Sequence, residues 1–237
     1  MSNPEVQSLR DSAVIIVIDL FGLTYFSLFV LQYLLFHFPS TTDAIINSLS
    51  VISFCGGGIL WYLSSLVYRL ISAFQGDDAA NWQKLEFGGI LILIWASTIP
   101  AVVLLFPAQP SIQLGYLFAF TLVAVGNLVD FLIWDPSIST ARTRFPYHCV
   151  SLGLLSLVPT IHALTGTVPT LSLLAVHIGR FAICNTLGAV VYMIQPLETI
   201  GIFGSWRSSL YMMHLALAYT AVRYSRVVLE TALGLTP

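Results

Sequence analysis

Residues 84–106 read KLEFGGILILIWASTIPAVVLLF. After Glu86 come twenty residues without one charged side chain. That length matches the ~20 apolar residues a helix needs to cross the ~30 Å hydrocarbon core of a bilayer. A helix on a soluble domain carries a polar face, and this stretch has none. Runs of the same kind lie to either side, near 12–38, 45–74, 113–134, 147–165, 169–193 and 206–230. With 85–106 they make seven spans joined by short loops such as FPSTTD, FPAQPS and TGTVP. The expected fold class is therefore all-α integral membrane, a seven-transmembrane helix bundle forming a single domain over residues 1–237.

Composition agrees. Of 237 residues, 57% are hydrophobic and 8% charged, and the mean hydropathy is +0.88. A soluble domain carries about a quarter charged residues, so this chain cannot cover a water-facing surface. Its apolar runs are also too long for the ~10-residue alternating strands of a membrane barrel. The formal net charge is −2. No basic patch offers a surface to nucleic acid, and no charged tail calls for a protein partner. Cys55, Cys149 and Cys184 are odd in number and lack CxxC spacing, which argues against a disulfide framework or a zinc finger.

Loop charge orients the bundle. Arg10, Lys84, Arg142, Arg144 and Arg207 flank the N-terminal side, while loops 39–44, 107–112 and 166–168 carry no Lys or Arg. The positive-inside rule puts the N-terminus in the cytosol and, with seven spans, the C-terminus outside. Arg223 and Arg226 count weakly against it. The expected location is an integral membrane, most simply the endoplasmic reticulum.

Six ionisable residues fall within or at the edge of spans: Asp19, Arg69, Glu86, Asp130, Arg180 and His214. Such residues are costly in hydrocarbon and usually face a cavity. Asp19 is seven residues into the first span, ~10 Å at 1.5 Å per residue. Counted this way, Asp19, Arg69, Glu86, Asp130 and His214 share the cytosolic third of the bilayer, with Arg180 deeper. One polar pocket accounts for them. The competing reading is a structural ion-pair network, Glu86 with Arg69 and Asp130 with Arg180. His162 and His177 lie on the outer side and are read as packing or interfacial residues.

Four motifs carry a family resemblance. KLEFGGILILIWASTIP (84–100) resembles the third-span motif of the progestin and adipoQ receptor (PAQR)/hemolysin III family, and WYLSSLVYR (61–69) resembles its second span. Trp134-Asp135 with LGLLSLVPTIH (152–162) is similar to its fourth loop and fifth span, and SSLYMMH (208–214) falls where the family has S-H-Q-x-x-H. The resemblance runs from about residue 50 to 220. It implies seven spans, a cytosolic N-terminus and a zinc site of three histidines. Ser65 stands at the family's serine position and Glu86 at its aspartate position. Arg69 stands where the first histidine belongs, Leu210 replaces the second, and His214 alone remains. One histidine beside a guanidinium does not hold zinc, which wants three protein ligands. No metal and no cofactor are expected.

Small seven-span cyclases of fungal meroterpenoid pathways resemble hemolysin III proteins, and this suggests the chemistry. A carboxylic acid in low dielectric can stay protonated and protonate a prenyl epoxide. The resulting carbocation is then captured by an internal double bond or hydroxyl, with aromatic faces steadying it. Glu86 is the first choice of general acid and Asp130 the second. Asp19 and His214 are partners in catalysis, and Ser65, Tyr68, Arg69, Trp95, Arg180 and Tyr211 are substrate-binding candidates. The expected function is a metal-independent membrane-bound terpene cyclase acting on a hydrophobic prenylated substrate, with no required protein partner. The alternative is a zinc-free PAQR-like lipid receptor or lipid-binding protein.

Overall fold

The structure is a computed structural model. It describes residues 4–36, 41–74, 79–133, 138–165, 169–201 and 207–234. The described residues are helical almost throughout: α1 (Pro4–Phe36), α2 (Thr42–Phe74), α3 (Ala79–Leu105), α4 (Pro110–Ile133), α5 (Ile138–Leu155), α6 (Leu157–Leu164), α7 (Pro169–Ile194), α8 (Pro196–Ile200) and α9 (Ser208–Ala232). Among the described residues, six segments are long and apolar enough to cross a bilayer: Ser12–Phe36, Asp43–Ser72, Trp82–Leu105, Pro110–Ile133, Arg144–Leu164 and Leu174–Ile194. The protein is an all-α integral membrane bundle. α9 is the seventh long helix. It carries His214, Arg223, Arg226 and Glu230, and it buries a stripe of Leu210, Met213, Leu217, Ala221, Tyr224 and Val228 against the bundle. That three-to-four residue spacing puts one face of a helix inward.

The fifth span is broken. α5 ends at Leu155 and α6 begins at Leu157. Pro159 has no N–H for the Leu155 carbonyl, and its ring crowds that carbonyl. The helix breaks there at Ser156, whereas α3 and α5 run on through Pro100 and Pro146.

α3 is the axis of the bundle. It packs against α2, α4, α5, α6, α7 and α9, and 83% of its apolar window is buried, against 11% for α4. α4 therefore lies on the periphery, with Phe120 and Phe131 turned inward. α2 and α3 approach closely because small residues meet between them: a Cβ on Gly57 would stand 2.5 Å from the Ala96 Cβ. Small residues at such crossings are how membrane helices gain packing energy, since lipid removes the hydrophobic drive between them. Buried hydroxyls tie the helices together. Tyr224 donates to the Ser97 carbonyl at 3.0 Å, Tyr25 meets Ser225 at 3.0 Å, and Tyr33 meets Ser48 at 2.7 Å.

Arg10 and Arg142, used above for orientation, have side chains outside the described set, as does the Trp134-Asp135 motif. Cys55 and Cys149 are buried free thiols, and Cys184 is an exposed one.

Candidate functional site

Trp61, Ser65 and Arg69 are four residues apart on α2, so they form one stripe along the helix. The stripe faces Glu86 from α3 and His214 from α9. Ser65 donates to Glu86 Oε1 at 3.0 Å. Arg69 Nη2 donates to the same oxygen at 2.6 Å, a short charge-assisted bond. His214 Nε2 lies 3.6 Å from that oxygen, an electrostatic contact too long for a hydrogen bond. The Trp61 indole stacks over His214 with centroids 6.0 Å apart. The Arg69 guanidinium sits 4.8 Å from the centre of the Tyr68 ring. Asp19 comes in from α1 behind this cluster, within electrostatic reach of Ser65, Glu86, Arg69 and Tyr62. Tyr62 fits there because Gly22 leaves room: a Cβ on Gly22 would fall 2.1 Å from its ring.

Asp19, Ser65, Arg69, Glu86 and His214 are all buried. Among the described residues, several of their polar atoms have no hydrogen-bond partner: both Asp19 oxygens, Arg69 Nε and both His214 ring nitrogens, together with Trp61 Nε1 and Tyr62 Oη. Buried polar groups are nearly always paired. Unpaired groups gathered in one place are donors and acceptors available to a polar ligand.

A chamber of about 160 Å³ opens onto this cluster, lined by Tyr68, Arg69, Gln83, Glu86, Arg207 and His214 among others. Tyr192 and Gln195 on the α7–α8 turn also line it. Gln195 has φ 54°, a left-handed conformation placed where Pro196 stops the helix. Tyr192 also lines a narrow apolar slot of about 30 Å³ that runs between α3, α5, α7 and α9 past Ile90, Ile94, Phe145, Phe181, Ala189 and Leu217. The polar chamber and the apolar slot thus share Tyr192 as a lining residue. Beneath the chamber, Glu198 of α8 accepts the Ser209 N–H at 2.8 Å and also the Ser209 hydroxyl, capping the start of α9.

The sequence-derived site divides. The structure brings together Asp19, Ser65, Tyr68, Arg69, Glu86 and His214, with Asp19 behind Ser65 rather than on the chamber wall. It separates four others. Asp130 is exposed, next to the inward-facing Phe131 and so turned ~100° away from it. It pairs with His148 at 3.3 Å, not with Arg180. Trp95 lies nine residues from Glu86, two and a half turns along α3, which puts it on the opposite face. Its indole N–H donates to Thr121 of α4 at 3.1 Å. Arg180 is exposed and twelve residues from Tyr192, ~18 Å along α7, and lines a different cleft. Tyr211 is buried, but the chamber takes Leu210 and His214 from that helix, not Tyr211. The ion pair expected between Glu86 and Arg69 is present. His162 bonds Tyr116 at 3.0 Å, well away from the chamber.

Sequence reading missed Trp61, Tyr62, Gln83, Tyr192, Gln195 and Arg207. Trp61 was legible, one turn before Ser65 on the same face. Gln83 and Arg207 share helical faces with Glu86 and His214 at spacings of three and seven. Nothing local marks Tyr192 or Gln195, which tertiary packing brings in.

A profile of the haemolysin-III-related proteins matches residues 10–220. The chain belongs to that family. The match includes every residue of the cluster. The chain is also 27% identical over 149 residues to the rice (Oryza sativa subsp. japonica) protein "Heptahelical transmembrane protein ADIPOR1", an alignment that covers 61% of this chain and 39% of the rice protein. The chain thus spans about two fifths of that relative's length. The three-histidine zinc site implied by the family resemblance does not fit the donor set found here. Among the described residues no three His, Cys, Asp or Glu side chains lie close enough to share a metal ion. Arg69 points its guanidinium at Glu86 from the first histidine position, and Leu210 offers no donor where it lines the chamber.

Proposed function

We propose that this haemolysin-III-related protein is a membrane-bound terpene cyclase that opens a prenyl epoxide by protonation and closes a ring within the bilayer. The observation that carries the proposal is the amphipathic cavity. Its polar chamber holds Arg69, Glu86 and His214, and Tyr192 stands between it and a neighbouring slot lined by apolar side chains. That combination suits a ligand with an oxygen-bearing end and a hydrocarbon tail, which a membrane delivers from the side. A prenyl chain entering the 30 Å³ slot must part α5 from α7.

Two carboxyl groups, Asp19 and Glu86, face one guanidinium across Ser65. The cluster is electrically balanced when the carboxyl pair holds a single proton. Glu86 lines the chamber and delivers that proton to the epoxide oxygen. The C–O bond at the more substituted carbon breaks, a neighbouring double bond attacks the cation, and a proton leaves the cyclised product to restore the pair. Arg69 holds Glu86 in place, and its Nε together with His214 orients the substrate's other oxygens. Tyr68 presents an aromatic face to developing positive charge. Cyclisation is an isomerisation, so the purified protein in lipid nanodiscs should convert a farnesylated phenol epoxide to a product of unchanged mass. Formation of the diol instead would make the protein a hydrolase, and recovery of untouched epoxide would leave the lipid-binding reading in its place.

A further inference from the structure

A second cleft lies on the far side of the bundle between α7 and α9. Arg180 and His177 line it from α7, Arg223 and Tyr219 from α9, and its volume is about 270 Å³. The two helices run antiparallel there. Asn185 accepts the Thr220 hydroxyl at 2.6 Å, and Gly188 faces Ala216. Extended by a turn, that register brings Arg180 level with Arg223. Both arginines are exposed. Among the described residues neither guanidinium has an ion pair or hydrogen bond, and Glu230, two turns beyond Arg223, pairs with neither. Arg180 is eleven residues from the start of α7 and Arg223 nine from the end of α9. An unpaired guanidinium within a bundle of membrane-spanning helices is costly, and two line this one cleft.

We propose that this cleft binds the phosphate headgroup of an acidic phospholipid. Guanidinium forks match phosphate oxygens in pairs. Two of them with no carboxylate between them leave the cleft net positive, and an anion is the complement it lacks. The floor beneath is aromatic: Phe181 stacks on Tyr224 with centroids 4.6 Å apart. A headgroup clamped at the arginines would lay its acyl chains along that floor. The source is the bilayer rather than the aqueous phase, because both arginines sit on spans whose neighbouring surface is lipid-facing, with Ile183 and Tyr219 exposed beside them. The chamber at Glu86 is not involved, so the cleft stands or falls independently of the catalytic proposal.

The test uses the full chain in nanodiscs of phosphatidylcholine, with phosphatidylglycerol or inorganic phosphate added. Native mass spectrometry and thermal unfolding are the readouts. Phosphatidylglycerol should be retained about tenfold more strongly than phosphatidylcholine, the size of one charge-assisted hydrogen bond, and should raise the unfolding temperature. The double variant Arg180→Gln/Arg223→Gln should lose that preference, and Arg226→Gln should keep it. Should the double variant fail to fold, Arg180→Lys alone should reduce the preference without abolishing it. Equal retention of the two lipids by the wild-type chain overturns the proposal, as does a preference that survives loss of both arginines. Stabilisation by inorganic phosphate to the same extent as by phosphatidylglycerol overturns the assignment to a lipid.

Discussion

At the scale of single residues, the arginine at position 69 governs the site. A histidine at position 69 would offer a metal ligand; Arg69 offers a fixed cation and a short bond to Glu86 instead. The variant Arg69→His combined with Leu210→His should therefore gain about one zinc per chain by elemental analysis, while the wild-type chain stays well below that. Failure of the double variant to take up zinc would mean that α2 and α9 do not face each other as described. Asp19 is a positioning group. It acts on the chamber only through its charge beside Glu86 and Arg69, so Asp19→Asn should lower turnover by about tenfold, the size of a ~1.4 kcal/mol electrostatic change, and should alter its pH profile, with little change in KM. An unchanged pH profile would contradict its place in the carboxyl pair. Much of this was legible in the sequence, because Ser65, Arg69, Glu86 and His214 sit on family motifs. Asp130 shows the limit. Depth along a helix can be counted from sequence, but rotation about the axis is set by which neighbour buries which face, and Phe131 took the inward position.

At the scale of elements, the same lesson applies to Trp95. Its side of α3 relative to Glu86 was readable from their nine-residue spacing; which neighbour that opposite face meets was not, because α3 is apolar all round and packs against six other helices. Six of the long helices were plain from hydropathy; the more polar α9 was placed by its apolar run at 206–230, and the break in the fifth span was not read, since Pro100 and Pro146 sit inside unbroken helices. Helix contacts give their own predictions. Tyr224→Phe removes the bond to the Ser97 carbonyl and should cost about 1 kcal/mol, measured as a lowered unfolding temperature in detergent. Ala189→Leu fills the slot beside Tyr192. Turnover of a farnesyl epoxide should then fall by tenfold or more, while a substrate with a single prenyl unit is spared. Equal loss for long and short chains would show that the slot does not hold the tail.

At the scale of the whole molecule, one chamber lies toward one end of the bundle and one arginine cleft toward the other. Orientation decides which faces the cytosol. The positive-inside count proposes a cytosolic N-terminus. A glycosylation-acceptor tag should thus be modified at the C-terminus and left bare at the N-terminus, and the reverse pattern would invert the assignment. The central claim is acid catalysis from Glu86, and one ratio tests it most directly: the single-turnover rate of prenyl epoxide cyclisation by Glu86→Gln relative to wild type, both in the same nanodiscs. The side chain keeps its shape and loses its proton, so the expected fall is about 10²–10⁴-fold, the usual contribution of a positioned acid, with helical content close to wild type and an unfolding temperature lowered by loss of the Arg69 ion pair. A rate within a few-fold of wild type would contradict it.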